Sequence, residues 1–278
     1  MSGPGRVTDR TVQRFGRDGA PAAPETDGVG VEEPLEIRVA GDPMVLTMRT
    51  PGDDADLAIG VLFAEGVIAS IDDVGTVAHC GRPGEEGFGN AIDVAPGPGV
   101  SLDPERLSTT RRGTLTTAAC GVCGRRSIDD LLARAGTVPP GPVVPRAVVG
   151  ESTERLRDVQ PAFDRTGGLH AAAVLAADGA VLAAAEDVGR HNAVDKVIGA
   201  LVRARRIGEP GPTILAVSGR VSFEIVQKAA FARIPIVAGV SAPTSLAVDL
   251  ADRLGVTLAA FVRGGAFNVY AHPERIAR

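Results

Sequence analysis

The sequence predicts an α/β protein: an α/β sandwich with a partly parallel sheet in its C-terminal half, preceded by a smaller α+β unit. Three observations carry this. From Glu151 onward, short apolar runs alternate with amphipathic segments of helix length, the order that builds a partly parallel sheet. Before residue 110, strand-like alternation surrounds one helical pattern. Between the two lies Pro139-Pro140-Gly141-Pro142, which punctuates the chain as a linker.

The first 30 residues are rich in Gly, Pro, Arg and Asp and poor in large apolar side chains, so 1–30 reads as a disordered tail. A small α+β domain is expected over 31–110. Leu35, Ile37 and Val39 alternate with Glu36 and Arg38, Gly41-Asp42-Pro43 turns, and Met44–Arg49 returns, giving a hairpin. Pro51-Gly52-Asp53-Asp54 opens a helix with Leu57, Val61 and Leu62 on one face and Gly66 as its stop. Val74–Cys80 and Ala91–Val94 read as apolar strands, with Cys80 as a buried thiol. Residues 111–150 hold a cysteine loop, a short helix opened by Ser127, and the linker.

The α/β domain is expected over 151–278. Thr153–Phe163 reads as a helix, then Leu169–Ala176 and Val181–Ala185 as strands joined by Asp178-Gly179, a type I′ signal. Asn192–Arg206 is an amphipathic helix with Asn192 as its cap. Strands at Ile214–Val217, Ile234–Ala238 and Val256–Val262 alternate with helices at Phe223–Phe231 and Ser245–Leu254.

Composition bounds the function. At 278 residues, with 44% apolar and 23% charged side chains, the chain has the balance of a soluble globular protein. A net charge of −5 provides no general basic surface, and 3% aromatics without Trp provide no stacking platform, so no nucleic-acid partner is expected. The longest apolar run, Ala171–Ala185, is broken by Asp178-Gly179, so no membrane span is expected. Three cysteines argue against a secreted disulfide framework and point to a reducing cytoplasm.

The stretch richest in chemistry is Thr116–Arg126, with Cys120 and Cys123 in a Cys-x-x-Cys spacing beside Gly121 and Gly124. Arg111, Arg112, Arg125 and Arg126 crowd it, and a helix follows. Such a setting lowers a thiol pKa and favours the nucleophilic thiolate. A closed zinc site needs four ligands. The remaining candidates, His79, Cys80, His170, His191 and His272, form no second pair at ligand spacing, so no structural metal is expected. A redox dithiol lacks its βαβ context here.

Ligands of open α/β sheets sit beyond the carboxyl ends of the strands. Three segments leave such ends: Ser218-Gly219-Arg220, Ser241–Thr244 and Arg263-Gly264-Gly265. The first two run into helix N-termini, whose free N–H groups suit phosphate, and Arg220 and Arg263 add charge. The glycines allow close approach to a pyrophosphate, though the spacing matches neither a Walker A loop nor the dinucleotide fingerprint. Glu186–Lys196 reads either as a capped helix start or as a site in which His191 and Lys196 face the same cavity. His170 opens an apolar strand, where a core role is the ordinary one. Ser218 and Ser222 lack the Gly-x-Ser-x-Gly elbow of a serine nucleophile.

Taken together, several stretches resemble the FdhD family of formate dehydrogenase accessory sulfurtransferases. They are Glu33–Ile37, Met48–Gly60, Cys120–Gly124, Phe163–Ala172, Glu186–Lys196, Ser218–Glu224 and Phe261–Gly264, spanning about Val31 to Arg275. The resemblance implies a sulfur carrier in which a persulfide on Cys120, assisted by Cys123, takes sulfur from a cysteine desulfurase. It passes that sulfur to the molybdenum cofactor, in its bis-guanine dinucleotide form, destined for formate dehydrogenase. It implies a cytidine-deaminase-like fold for the C-terminal domain and a homodimer. It also implies a cofactor pocket at Phe261, Val262, Arg263, Gly264, Gly265 and Ala266. The residue reading adds Ser218, Gly219, Arg220, His191 and Lys196 to that pocket.

Two rivals stand beside this reading. A zinc nucleobase deaminase needs His-x-Glu ahead of Pro-Cys-x-x-Cys. Here Ala119 precedes Cys120, and the lone His-x-Glu, His272-Pro273-Glu274, comes after the cysteines. A cofactor-binding chaperone without sulfur transfer is the second.

Overall fold

The computed structural model describes residues 5–17, 19, 22–85, 87–102, 136–208 and 211–277. Cys120, Cys123, their arginine neighbours and the helix expected after Ser127 lie outside the described residues. No helix among the described residues is long and apolar enough to cross a membrane.

The chain opens with β1 (Val7–Val12) and β2 (Glu25–Gly30), paired antiparallel from Val7↔Gly30 to Val12↔Glu25. The expected disordered tail is therefore a hairpin in its described part. It carries little apolar surface of its own, which is why its sequence reads as a tail. It seats where Gly28 and Gly30 lack side chains: a Cβ at Gly28 would stand 2.9 Å from the Arg165 carbonyl oxygen, and one at Gly30 would stand 3.0 Å from Leu169. An Arg6–Asp53 ion pair of 2.5 Å ties down its start.

Next come β3 (Glu33–Val39), β4 (Asp42–Arg49), α1 (Asp54–Ala64), β5 (Val74–His79) and β6 (Ala91–Pro96). The strands form a sheet in the order β4-β3-β6-β5. The expected hairpin and helix are present. Cys80 differs from expectation: it follows β5, an edge strand of half-buried and exposed residues, and is itself half-buried.

The second unit starts earlier than residue 151. Val144 is fully buried and bridges to Ile276, and α2 spans Arg146–Arg157. A separate α3 (Pro161–Thr166) follows, with Pro161 in its first turn, so the helix expected over Thr153–Phe163 is two. β7 (His170–Leu175) and β8 (Val181–Asp187) then pair antiparallel. Their connection is not type I′. Gly179 N–H returns to the Ala176 carbonyl at 2.9 Å, and Gly179 alone takes a positive φ, 87°. That is the type I turn with a left-handed glycine that forms a three-residue hairpin loop.

The rest alternates as the sequence predicts: α4 (Arg190–Arg203), β9 (Ile214–Val217), α5 (Phe223–Phe231), β10 (Ile236–Gly239), α6 (Ser245–Leu254), β11 (Thr257–Arg263) and β12 (Ala266–Ala271). The sheet runs β12-β11-β10-β9-β7-β8, with β9, β10 and β11 parallel. Strand residues alternate between two cores. Ala171, Ala173, Leu175, Ile214, Ala216 and Ile236 face α2. Ala172, Val174, Leu215, Val217 and Val237 face the side that also buries Val194 and Val197 of α4 and Ile225 of α5.

The second core runs without a break into the first unit, through Leu35, Ile37, Leu57 and Leu62. The junction is a crossing of α1 and α4 in backbone contact. A Cβ at Gly60 would lie 1.9 Å from the Asp195 carbonyl oxygen, and one at Gly199 would lie 1.9 Å from that of Asp56. The α+β and α/β units are thus halves of one packed body.

Candidate functional site

Because β9, β10 and β11 are parallel neighbours, the segments after them emerge side by side. Val240 N–H donates to Val217 O at 3.1 Å, Val221 N–H to Ala242 O at 3.2 Å, and Phe261 N–H to Ser241 O at 3.3 Å. The Arg263 guanidinium Nε donates to Val240 O at 3.2 Å. The structure therefore brings together Val217–Arg220, Val240–Thr244 and the end of β11.

The third segment differs in form from a strand-to-helix loop. Arg263 pairs with Ala266 across Gly264 and Gly265, whose φ values of 54° and 76° make a type I′ hairpin turn. Val262 is buried on β11, and its carbonyl accepts from the Thr153 hydroxyl at 2.9 Å. Phe261 sits at φ 56° in a bulge and keeps 44% of its surface exposed. A bulky residue in the left-handed region is strained, and such strain clusters at functional sites.

Beneath these ends, on the α2 side of the sheet, lies a cavity of about 430 Å³. Gln160, Phe163, His170, Ser218 and Val240 contribute to its wall. The Arg157 guanidinium lies 4.5 Å from the Phe163 ring centroid. Ser218 Oγ accepts from Ala171 N–H at 2.9 Å, so it is held rather than poised as a nucleophile.

On the other side of the strand ends, α4 and α5 present N-termini without a side-chain cap. The expected pair was α5 and α6, but Thr244 Oγ1 caps α6 by accepting from Ala247 N–H at 3.3 Å. Arg220 is exposed here. His191 is mostly buried, its Nε2 3.0 Å from Glu224 Oε2 and 3.1 Å from Ser222 Oγ. Arg190 belongs to the polar run Glu186–Lys196, but the sequence reading does not assign it to the pocket. Its Nε is buried without a hydrogen-bond partner among the described residues, and its Cδ lies beside Gly219. An arginine in the first turn of a helix opened by glycine was the available signal.

Lys196 corrects the sequence reading. It faces no cavity. Its ammonium is fully buried, 2.7 Å from Asp187 Oδ2, and donates to Thr50 O at 2.8 Å and Glu186 O at 3.3 Å. Those contacts use all three donors of the group. Asp187 in turn accepts from the backbone N–H groups of Thr50 and Gly189 and from Asn192 Nδ2. Glu186 accepts from Ala162 and Phe163 N–H at the start of α3. The polar run Glu186–Lys196 thus locks β4, α3 and α4 together, and the helix it opens begins at Arg190 with Gly189, not Asn192, as its cap.

Burial pushes the His191 pKa down to about 4, helped by Lys228, Arg190 and His170 and opposed by Glu224. His170 is also lowered, by burial and then by Arg190. Burial lifts Asp195 to about 6 against the pull of Lys228, 2.6 Å away. The signs oppose. As pH falls from 6.5 toward 4 the unfolded chain protonates His191 first, so stability is lost in that window. Between 6 and 3.8 the folded chain protonates Asp195 first, so that group adds stability. His191→Gln should therefore lose less stability than the wild type between pH 7 and pH 5. The difference should be on the order of 1–2 kcal/mol in urea unfolding. Equal losses would mean that His191 is not the titrating group.

Fold and site together define an α/β protein that gathers a cavity, three parallel strand ends and exposed arginines at one end of its sheet. Comparison with known proteins narrows that class. The FdhD/NarQ family model matches residues 30–277, and the chain belongs to that family. The chain is 59% identical to the sulfur carrier protein FdhD of Anaeromyxobacter dehalogenans, over 98% of this chain and 94% of that one. It is 49% identical to the sulfur carrier protein FdhD of Mycobacterium tuberculosis, over 96% and 97%. Its fold matches the crystal structure of a protein from Desulfotalea psychrophila described as a formate dehydrogenase accessory protein. That match has a TM-score of 0.74 at 24% identity, and it covers 98% of this chain and 99% of the other.

Proposed function

We propose that this protein is a sulfur carrier for formate dehydrogenase. In this reading it accepts sulfur from a cysteine desulfurase as a persulfide on Cys120, with Cys123 assisting. It hands that sulfur to the molybdenum cofactor, in its bis-guanine dinucleotide form, before insertion. The cofactor is the substrate of the transfer. The protein works in the cytoplasm as a homodimer. The observation that carries the reading is 59% identity, over 98% of this chain, to a protein named as a sulfur carrier, in a chain that has a Cys-x-x-Cys pair. The strand-end geometry supports the cofactor half. The cavity has room for a planar base, the α4 and α5 N-termini suit a pyrophosphate, and Arg220 and Arg263 add charge beside them.

Incubation with a cysteine desulfurase and cysteine should add one sulfur to the peptide carrying Cys120. Cys120→Ala should abolish formate dehydrogenase activation. Sulfur uptake and full activation by that variant would refute the carrier assignment. For the pocket, calorimetry with GDP should show binding that Arg263→Ala weakens by about 1.5–3 kcal/mol, the worth of a charge-assisted bond. Equal affinity in both proteins would remove Arg263 from the site.

A further inference from the structure

Two pairs of side chains face each other between α4 and α5. His191 and Asp195 are one turn apart on α4; Glu224 and Lys228 are one turn apart on α5. His191 meets Glu224 at 3.0 Å and Asp195 meets Lys228 at 2.6 Å. The inner pair is structural. The outer pair stands at the ligand end, with His170 of β7 and Arg190 of α4 close enough to influence His191.

Both contacts of His191 fall on one nitrogen. Glu224 Oε2 and Ser222 Oγ each approach Nε2. This is not a serine triad, in which the serine and the carboxylate use different ring nitrogens. A carboxylate only accepts, so Nε2 carries a proton, and in the neutral ring Nδ1 then holds the lone pair. Burial opposes the imidazolium and outweighs the favourable charge of Glu224, with Lys228, Arg190 and His170 adding to burial and the N-terminus of α4 acting in the same direction.

We propose that Glu224 is a positioning residue: with Ser222 it fixes His191 as the neutral imidazole protonated on Nε2, leaving Nδ1 to accept from an N–H or O–H donor of the bound cofactor. This rests on the reading of the strand ends as the cofactor site. The charge that holds an anion here then comes from arginine, while His191 reads a neutral donor.

The test uses the full chain labelled with ¹⁵N-histidine. Long-range ¹H–¹⁵N spectra of the wild type should show His191 as the Nε2–H tautomer from pH 7.5 down to 5.5. Glu224→Gln offers the ring both an acceptor and a donor, so it should give a mixture of tautomers. With its unfolding midpoint unchanged, that variant should activate formate dehydrogenase about 2- to 10-fold less, in proportion to the share of His191 that leaves the Nε2–H form. His191→Asn, whose Oδ1 falls near the Nδ1 position, should retain more activation than His191→Ala. An Nδ1–H tautomer in the wild type overturns the lock, and needs no variant to be seen. A Glu224→Gln protein with unchanged tautomer and activation overturns it too. Equal losses in the two His191 variants overturn the acceptor role. Activation that survives Cys120→Ala would instead refute the sulfur-carrier reading, with the tautomer result still standing.

Discussion

Gly199→Ala should cost the protein several kcal/mol of stability, enough to leave much of it unfolded. A helix interior normally gains about 1 kcal/mol when Gly becomes Ala. Here the new methyl would sit 1.9 Å from the Asp56 carbonyl oxygen and 2.7 Å from its carbon. Both obstacles are backbone, so no side chain can swing aside; α1 and α4 must separate and open the core that joins the two halves. Overpacking of this kind costs about 1–3 kcal/mol when side chains can yield, and more when they cannot. Gly60→Ala should do the same against Asp195. Gly168→Ala is the control: its Cβ would meet nothing closer than 3.8 Å, and φ is not positive there. Urea unfolding of the three variants decides the matter. A Gly199→Ala midpoint within error of Gly168→Ala would mean that the crossing is looser than the structure has it.

Lys196→Met should destabilise the fold by about 3–5 kcal/mol, because it strands Asp187 as a fully buried charge. Pairing it with Asp187→Asn should recover part of that loss, since the amide removes the orphaned charge while still accepting from Gly189 N–H. A ligand-binding lysine would behave otherwise, leaving stability nearly intact and lowering cofactor affinity. Unfolding free energies of the wild type, the two single variants and the double variant give the coupling directly. A stable Lys196→Met protein that fails only in cofactor binding would restore the role the sequence suggested.

Those two positions show where reading a sequence reaches its limit. Lys196 next to a polar run is the composition of a site and equally of a buried polar lock. Which one it is depends on whether Asp187 and Thr50 stand around its ammonium, and Thr50 is far away in the chain. Gly60 and Gly199 sit inside helical patterns, where the local reading sees only lower propensity. Their reason is a helix on the other side of the core. The hairpin Val7–Gly30 reads as a tail in the sequence because its anchorage is α3 rather than its own apolar content. The dipeptide Asp178-Gly179 signals a type I′ turn, but only Gly179 takes a positive φ, because the register of β7 and β8 sets a three-residue loop.

From the sequence come the alternation of strands and helices after Glu151, the hairpin and helix before it, and a sheet that is partly parallel. Those follow from apolar periodicity, which acts over a turn or two. The sequence also led to the expectation that the segments after three short buried strands lie side by side, while the order β11-β10-β9 that makes them neighbours came only with the structure. Only the tertiary structure shows which polar residues stand at the strand ends and which hold the body together. It decided that α4 and α5, not α6, present free N-termini, and that Arg190 rather than Lys196 stands at the rim. Such choices depend on burial and on partners distant in sequence, because a charged group buried beside its counter-ion is spent, while the same group beside a cavity is available.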